Sequence, residues 1–138
     1  MNKTLLILFF FLFTAQMAMA DDVKIIVNPD VPETTLSQTQ IAELFLGNIA
    51  VWPDKTRIQL ALNGEEKLHD RFVRKFCRRT PFQFTNHWRN LRYTGKAFIP
   101  NTFSTDDEVI KFVSETKGAI SYIHGSTTAQ NVKIVSVK

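Results

Sequence analysis

Leu36-Ser37-Gln38-Thr39-Gln40-Ile41-Ala42-Glu43-Leu44-Phe45-Leu46-Gly47-Asn48-Ile49-Ala50-Val51-Trp52-Pro53 is the stretch on which the reading of the fold turns. Ser37 stands where a helix N-cap belongs. Gln40, three residues on, can return a hydrogen bond to the cap's own amide, which completes a capping box. Ile41, Leu44 and Phe45 then fall on one helical face. Gly47 is the expected stop, because the residue past a helix end commonly adopts a left-handed conformation that glycine reaches without steric cost. Trp52-Pro53-Asp54-Lys55 reads as a turn. It leads into a strand from Arg57 to Leu62, closed by Asn63-Gly64.

Working outward, Val23 to Val27 is a β-branched apolar run ended by Asn28-Pro29, which suits a buried strand. Pro29 and Pro32 hold the chain extended to the capped helix. From Glu65 to about Arg79 the pattern is helical, with Leu68, Phe72 and Phe76 four apart and Val73 widening the stripe. Thr80-Pro81 starts another helix to about Tyr93, carrying Phe84, Trp88 and Leu91. Thr105 and Glu108 form a second capping box ahead of Val109, Phe112 and Val113, and Lys117-Gly118 closes that helix. Ala119 to Ile123 and Val132 to Val137 read as strands. The phenylalanines outside the first twenty residues fall mostly on these helix faces, as core candidates. The predicted order is β, α, β, α, α, α, β, β, an α/β layer architecture with a central mixed sheet covered by helices.

Residues 1–20 have the form of a signal peptide: Lys3, an apolar run from Leu5 to Phe13, then Ala18-Met19-Ala20 as a small-residue cleavage site. Thr14 and Gln16 interrupt the run too early for a bilayer-spanning helix, which needs ~20 apolar residues. The expectation is an exported, periplasmic or secreted chain with one domain over residues 21–138 and no stable membrane anchor. The 138-residue chain carries a formal charge of +4. This is mildly basic, with no polybasic tail, and export argues against nucleic acid as a partner. Cys77 is the only cysteine. It cannot form an internal disulfide and reads as a packed small hydrophobe rather than a reactive thiol.

Four pieces of this chain, in order, resemble the substrate-binding proteins of phosphate ABC transporters, a family within the two-lobed periplasmic binding proteins. They are the opening stretch, the strand Arg57-Ile-Gln-Leu-Ala-Leu62, Trp88 with Thr94-Gly95, and Gly118-Ala-Ile-Ser-Tyr122. The last resembles the family's glycine-alanine-isoleucine-glycine-tyrosine strand, with Ser121 in place of the second glycine. The resemblance spans about Val23 to Val137. It implies a periplasmic binding protein-like fold, a solute-binding role and no enzymatic activity.

Two departures bear on function. The chain is long enough for about one lobe of a fold that holds its ligand between two. A closed trap would then need a homodimer or another protein to supply the missing wall. The second departure is chemical. The resemblance implies a ligand loop with an arginine, three intervening residues and serine-glycine-threonine at a helix start. A forked cation, hydroxyls and free helix amides suit a bound anion. Aligned on Phe72, Leu62 replaces the arginine and Glu66-Lys67-Leu68 replaces the serine-glycine-threonine. Glu65 and Glu66 now occupy the helix's first turn. One like-charge contact at about 4 Å and an effective dielectric near 20 costs roughly 4 kcal/mol. Phosphate binding in the family manner is therefore not expected.

Two classes of function follow. One keeps a ligand site at Asn63, Gly64, Glu65 and Glu66 for a small anion or another solute. The other is an interaction module that contacts a partner protein. Arg71, Lys75 and Arg78, at helical spacings of four and three, are its candidate surface, although a solvated outer face, which amphipathic helices ordinarily have, is the favoured reading of them. A small hydrolase is a third and weaker reading, because no catalytic set is grouped in the sequence. His69, His87 and His124 lie far apart and read as surface or packed residues, with no metal motif. Asp106-Asp107-Glu108 is explained by its place at a helix start. No cofactor is implied.

Overall fold

The computed structural model describes residues 22–97 and 99–138. The expected leader at residues 1–20 lies outside them. The elements run β1 (Val23–Val27), β2 (Thr35–Leu36), α1 (Gln38–Phe45), β3 (Gln59–Asn63), α2 (Glu66–Phe72), a π-helical segment (Val73–Cys77), α3 (Pro81–Tyr93), β4 (Asn101–Phe103), α4 (Asp106–Glu115), β5 (Ala119–His124) and β6 (Lys133–Val137). The strands form one mixed six-stranded sheet in the order β2-β6-β1-β5-β3-β4. β1 is antiparallel to both β5 and β6, whereas β3 runs parallel to β4 and to β5.

Alternation along the strands sends side chains to two cores. Ile25, Val27, Leu62, Ile120 and Tyr122 face α1, α2, the π segment and α3. Ile26, Ala119 and Ile123 face α4 through Val109 and Val113. The larger core is organised around Tyr122, whose ring stacks on Phe72 at 3.8 Å between centroids and 6° between planes. Phe45 meets both rings edge-on, at 4.7 Å from Phe72 and 5.8 Å from Tyr122.

The opening stretch folds as its residues dictate. Ser37 and Gln40 form the reciprocal capping box, with bonds of 3.0 and 2.8 Å. Gly47 takes φ +78° at the end of α1, and a Cβ there would lie 2.9 Å from the Trp88 ring. The last carbonyls of α1 are satisfied from α3. Trp88 Nε1 donates to Phe45 O at 3.0 Å, and the His87 ring lies 2.7 Å from Leu46 O. Trp52 is buried and donates from Nε1 to Gly118 O at 3.0 Å, pinning the turn to the start of β5.

Four sequence expectations change. β2 and β4 are additional short edge strands. The third strand starts at Gln59 rather than Arg57, because Arg57 first pairs back across the turn with Val51. The helix from Glu65 to Arg79 is not one α-helix. It passes into the π segment after Phe72 and ends at Arg78, whose φ is +52°. The wider turn buries Val73, Phe76 and Cys77 together. Phe82 leaves the core altogether and is 73% exposed. Cys77 is buried as expected, and desolvation pushes its thiol up to about 12.

Because Phe72 contacts rings on three sides and is fully buried, Phe72→Ala should cost about 3–5 kcal/mol in urea denaturation. A loss under about 1 kcal/mol would mean the aromatic stack does not organise this core.

Candidate functional site

β3, β4 and β5 run in one direction, so their carboxyl ends share an edge of the sheet. α2 starts there after β3, and α4 starts there after β4. Ligands of open α/β sheets bind outside the carboxyl ends of the strands, which makes this edge the place to look.

A connected polar network occupies it. Asn63, fully buried at the end of β3, accepts from Glu65 N at 3.0 Å and donates from Nδ2 to Asp106 Oδ1 at 2.7 Å. Asp106 Oδ2 accepts from Thr127 Oγ1 at 2.5 Å and from His124 N at 3.2 Å, and it lies 2.9 Å from His124 Nδ1. The other ring nitrogen of His124 lies 3.2 Å from Glu65 Oε2. Glu65 is the N-cap of α2. Its Oε2 accepts from Leu68 N at 2.8 Å and its Oε1 accepts from Lys67 N at 3.4 Å. The chain's own carboxylate thus sits on the amides that would otherwise face a bound anion.

The electrostatics agree with this geometry. Glu65's carboxyl is held below the usual carboxylate range, first by the Leu68 amide and further by the Lys67 amide and His124, against a smaller opposing effect of burial. Burial pushes Asp106 upward more than any single partner pulls it down. Donation from Thr127, His124 and Asn63 together outweighs burial, and its carboxyl ends below the usual range. An imidazole facing carboxylate oxygens on both nitrogens donates to both only when it carries both protons. Among the described residues, no group of three or more His, Cys, Asp or Glu side chains is arranged to hold a metal ion. His124 bridges two carboxylates and has neither ring nitrogen turned to a hydroxyl or thiol nucleophile.

Of the sequence-predicted ligand residues, Asn63 and Glu65 are brought together inside this network. Gly64 donates from its backbone to Phe103 O at 2.6 Å, joining β3 to the end of β4. Glu66 is exposed and lies on the rim of a neighbouring groove with Lys67, Arg71, Arg74 and Lys75. Arg71 and Lys75 share that groove, but Arg78 does not continue their row. The π turn and the left-handed conformation of Arg78 break the spacing that would have aligned the three. Lys75 pairs with Asp22 at 3.2 Å, and Arg74 pairs with Asp70 at 2.9 Å.

His124, Asp106 and Thr127 were not legible as site residues. Asp106 stands at a helix start and looked like dipole complementarity alone. His124 ends a strand with no partner nearby in sequence. Beside the network lies a cleft of about 240 Å³, floored by Leu62, Phe84 and Trp88 and edged by His69, Arg89 and Ile99. His69 is anchored there, its Nδ1 lying 2.5 Å from the Tyr122 hydroxyl, and burial lowers its pKa.

No family model matches the sequence, and no curated protein aligns with it. Solved structures do match. One is a Clostridium perfringens protein described as a phosphate ABC transporter substrate-binding protein with bound phosphate, at TM-score 0.65 and 16% identity over 85% of this chain. A second is an ABC-type phosphate transport receptor from Vibrio cholerae, at TM-score 0.63 and 16% identity over 85% of this chain. PstS from Borrelia burgdorferi gives TM-score 0.57 and 16% identity over 86% of this chain. This chain has the fold of one lobe of a phosphate-binding protein. It spans only 45%, 46% and 47% of those three chains. The single α/β lobe that the resemblance implies is therefore what is observed. Among the described residues, no helix is long and apolar enough to cross a membrane.

The lowered carboxyls set an acid-side dependence. A carboxyl whose folded pKa lies below its unfolded value stabilises the fold above the unfolded pKa, and that contribution disappears as pH falls through the folded pKa. Stability should therefore be fully supported by Asp106 and Glu65 at neutral pH and decline below the ordinary carboxylate range. Asp106→Asn should flatten this acid limb in urea denaturation measured from neutral to acid pH. An unchanged acid limb would contradict the network.

Proposed function

We propose that this chain is a non-enzymatic binding module on one lobe of the phosphate-binding protein fold, and that it acts by docking a partner protein rather than by trapping phosphate. The observation that carries the reading is the Glu65 carboxylate on the Lys67 and Leu68 amides, held from behind by His124. An incoming phosphate would have to displace a charged group already hydrogen-bonded there and would then lie against two glutamates. Leu62, where the family resemblance implies an arginine, supplies no compensating cation.

The cleft also argues against a small solute acting alone. Small-molecule sites bury most of their ligand's surface, and the described residues build one wall only. A protein partner brings its own second wall. The cleft's buried aromatics offer that partner a desolvated seat of the kind that dominates interface energetics. Action outside the cytoplasm goes with the signal-like residues 1–20.

Calorimetric titration of inorganic phosphate into the purified protein at low salt should give no binding heat at micromolar concentrations. Micromolar binding by the monomer, established by light scattering on the same sample, would overturn the reading.

A further inference from the structure

The positive charge of this chain is not spread evenly. Between Glu65 and Tyr93 there are eight Lys and Arg side chains against three carboxylates. The rest of the chain has nine against ten. The excess charge therefore lies on α2, the π segment, the turn after it and α3.

Among the described residues, the two most exposed large apolar side chains also lie in that region. Phe82 is 73% exposed and Tyr93 80% exposed. They lie eleven residues apart on α3, which at 3.6 residues per turn puts them on one face, with Arg89 between them. Aromatic and arginine side chains presented together are the composition of protein-interface cores. Arg89 edges the cleft over Phe84 and Trp88, which is continuous with the basic groove through Gly64 and His69.

We propose, building on the partner-protein reading above, that the outer face of α3, the cleft and the adjoining groove dock an acidic segment of a partner protein, with one large apolar side chain of that segment seated over Phe84 and Trp88. The occupant follows from charge and shape. Lys67, Arg71, Arg74 and Lys75 are strung along α2 and the π segment, a run of roughly 12 Å at helical rise. Glu66 and Asp70 lie in the same groove, and Arg74 and Lys75 already pair with Asp70 and Asp22, so a point anion meets mixed charge there, whereas an extended acidic segment can span the net positive charge of the whole groove. The recessed aromatic floor needs an anchor that reaches into it, which a flat anionic bilayer does not provide.

The probe is a fluorescein-labelled twelve-residue peptide of aspartate and glutamate around one central tryptophan. Its comparators are the same peptide with lysine replacing every acid, the acidic peptide with glycine replacing tryptophan, and vesicles containing phosphatidylglycerol. The acidic tryptophan peptide should bind, weaken with added salt, and lose about tenfold in affinity with the glycine anchor. Phe82→Ala and Arg89→Glu, both at exposed positions, should each cost about tenfold, whereas Lys111→Glu on α4 should not. Equal binding of the lysine peptide, binding only to vesicles, or no response to Phe82→Ala and Arg89→Glu would overturn the proposal. No binding of any acidic peptide would overturn it too. The phosphate titration separates the two readings, because a silent phosphate titration with silent peptides rejects this surface while leaving the partner-protein module standing.

Discussion

The Glu65 carboxylate on the amides of Lys67 and Leu68 is the contact on which the functional account depends. A helix start with free N–H groups is an anion site by construction. Here the site is filled from within, and the filling is built in at several points. Asn63 fixes the turn that delivers Glu65, and His124 holds the carboxylate from the other side. Asp106 holds His124 and also receives Thr127 and Asn63. The network ties the ends of β3 and β5 to the starts of α2 and α4. The edge of the sheet outside the carboxyl ends of β3 and β5 is thereby tied into the molecule's own framework.

That framework rests on a sheet whose two faces are unequally loaded. Among the described residues, one face carries α1, α2, the π segment and α3 around the stacked Tyr122 and Phe72 rings, and the other carries α4 alone. Tyr122 links core to site, since its hydroxyl meets His69 beneath the cleft while its ring lies flat on Phe72. The cleft is therefore the rim of the larger core, where the aromatic floor of Phe84 and Trp88 comes within reach of solvent. Recognition by an apolar anchor would use surface that the fold already had to build.

Much of the scaffold was legible because its signals are local. The Ser37–Gln40 box, the stop at Gly47 and the Trp52 turn each act within a few residues, and the structure contains all three. β2 and β4 were not legible, because strands of two and three residues exist only through pairing with β6 and β3. The π segment was hidden for a related reason. Its sequence has helical periodicity, and only packing around Phe72 and Phe76 selects the wider turn. At the site, Asn63 and Glu65 stood out as the strand-to-helix loop. Asp106 lies 43 residues from Asn63, and His124 lies 59 from Glu65, so no spacing rule brings them together. Phe82 shares its residue type with the core phenylalanines, and composition does not say which side of a helix meets water.

The likeness to phosphate-binding proteins is thus one of scaffold, and the chemistry at the scaffold's ligand edge is this chain's own. Nuclear magnetic resonance of the Leu68 backbone amide tests that claim most directly. The account predicts that its resonance follows the protonation of Glu65 in acid and does not move when phosphate is added at neutral pH. A Leu68 amide that shifts with phosphate at neutral pH and ignores the titration of Glu65 would contradict it.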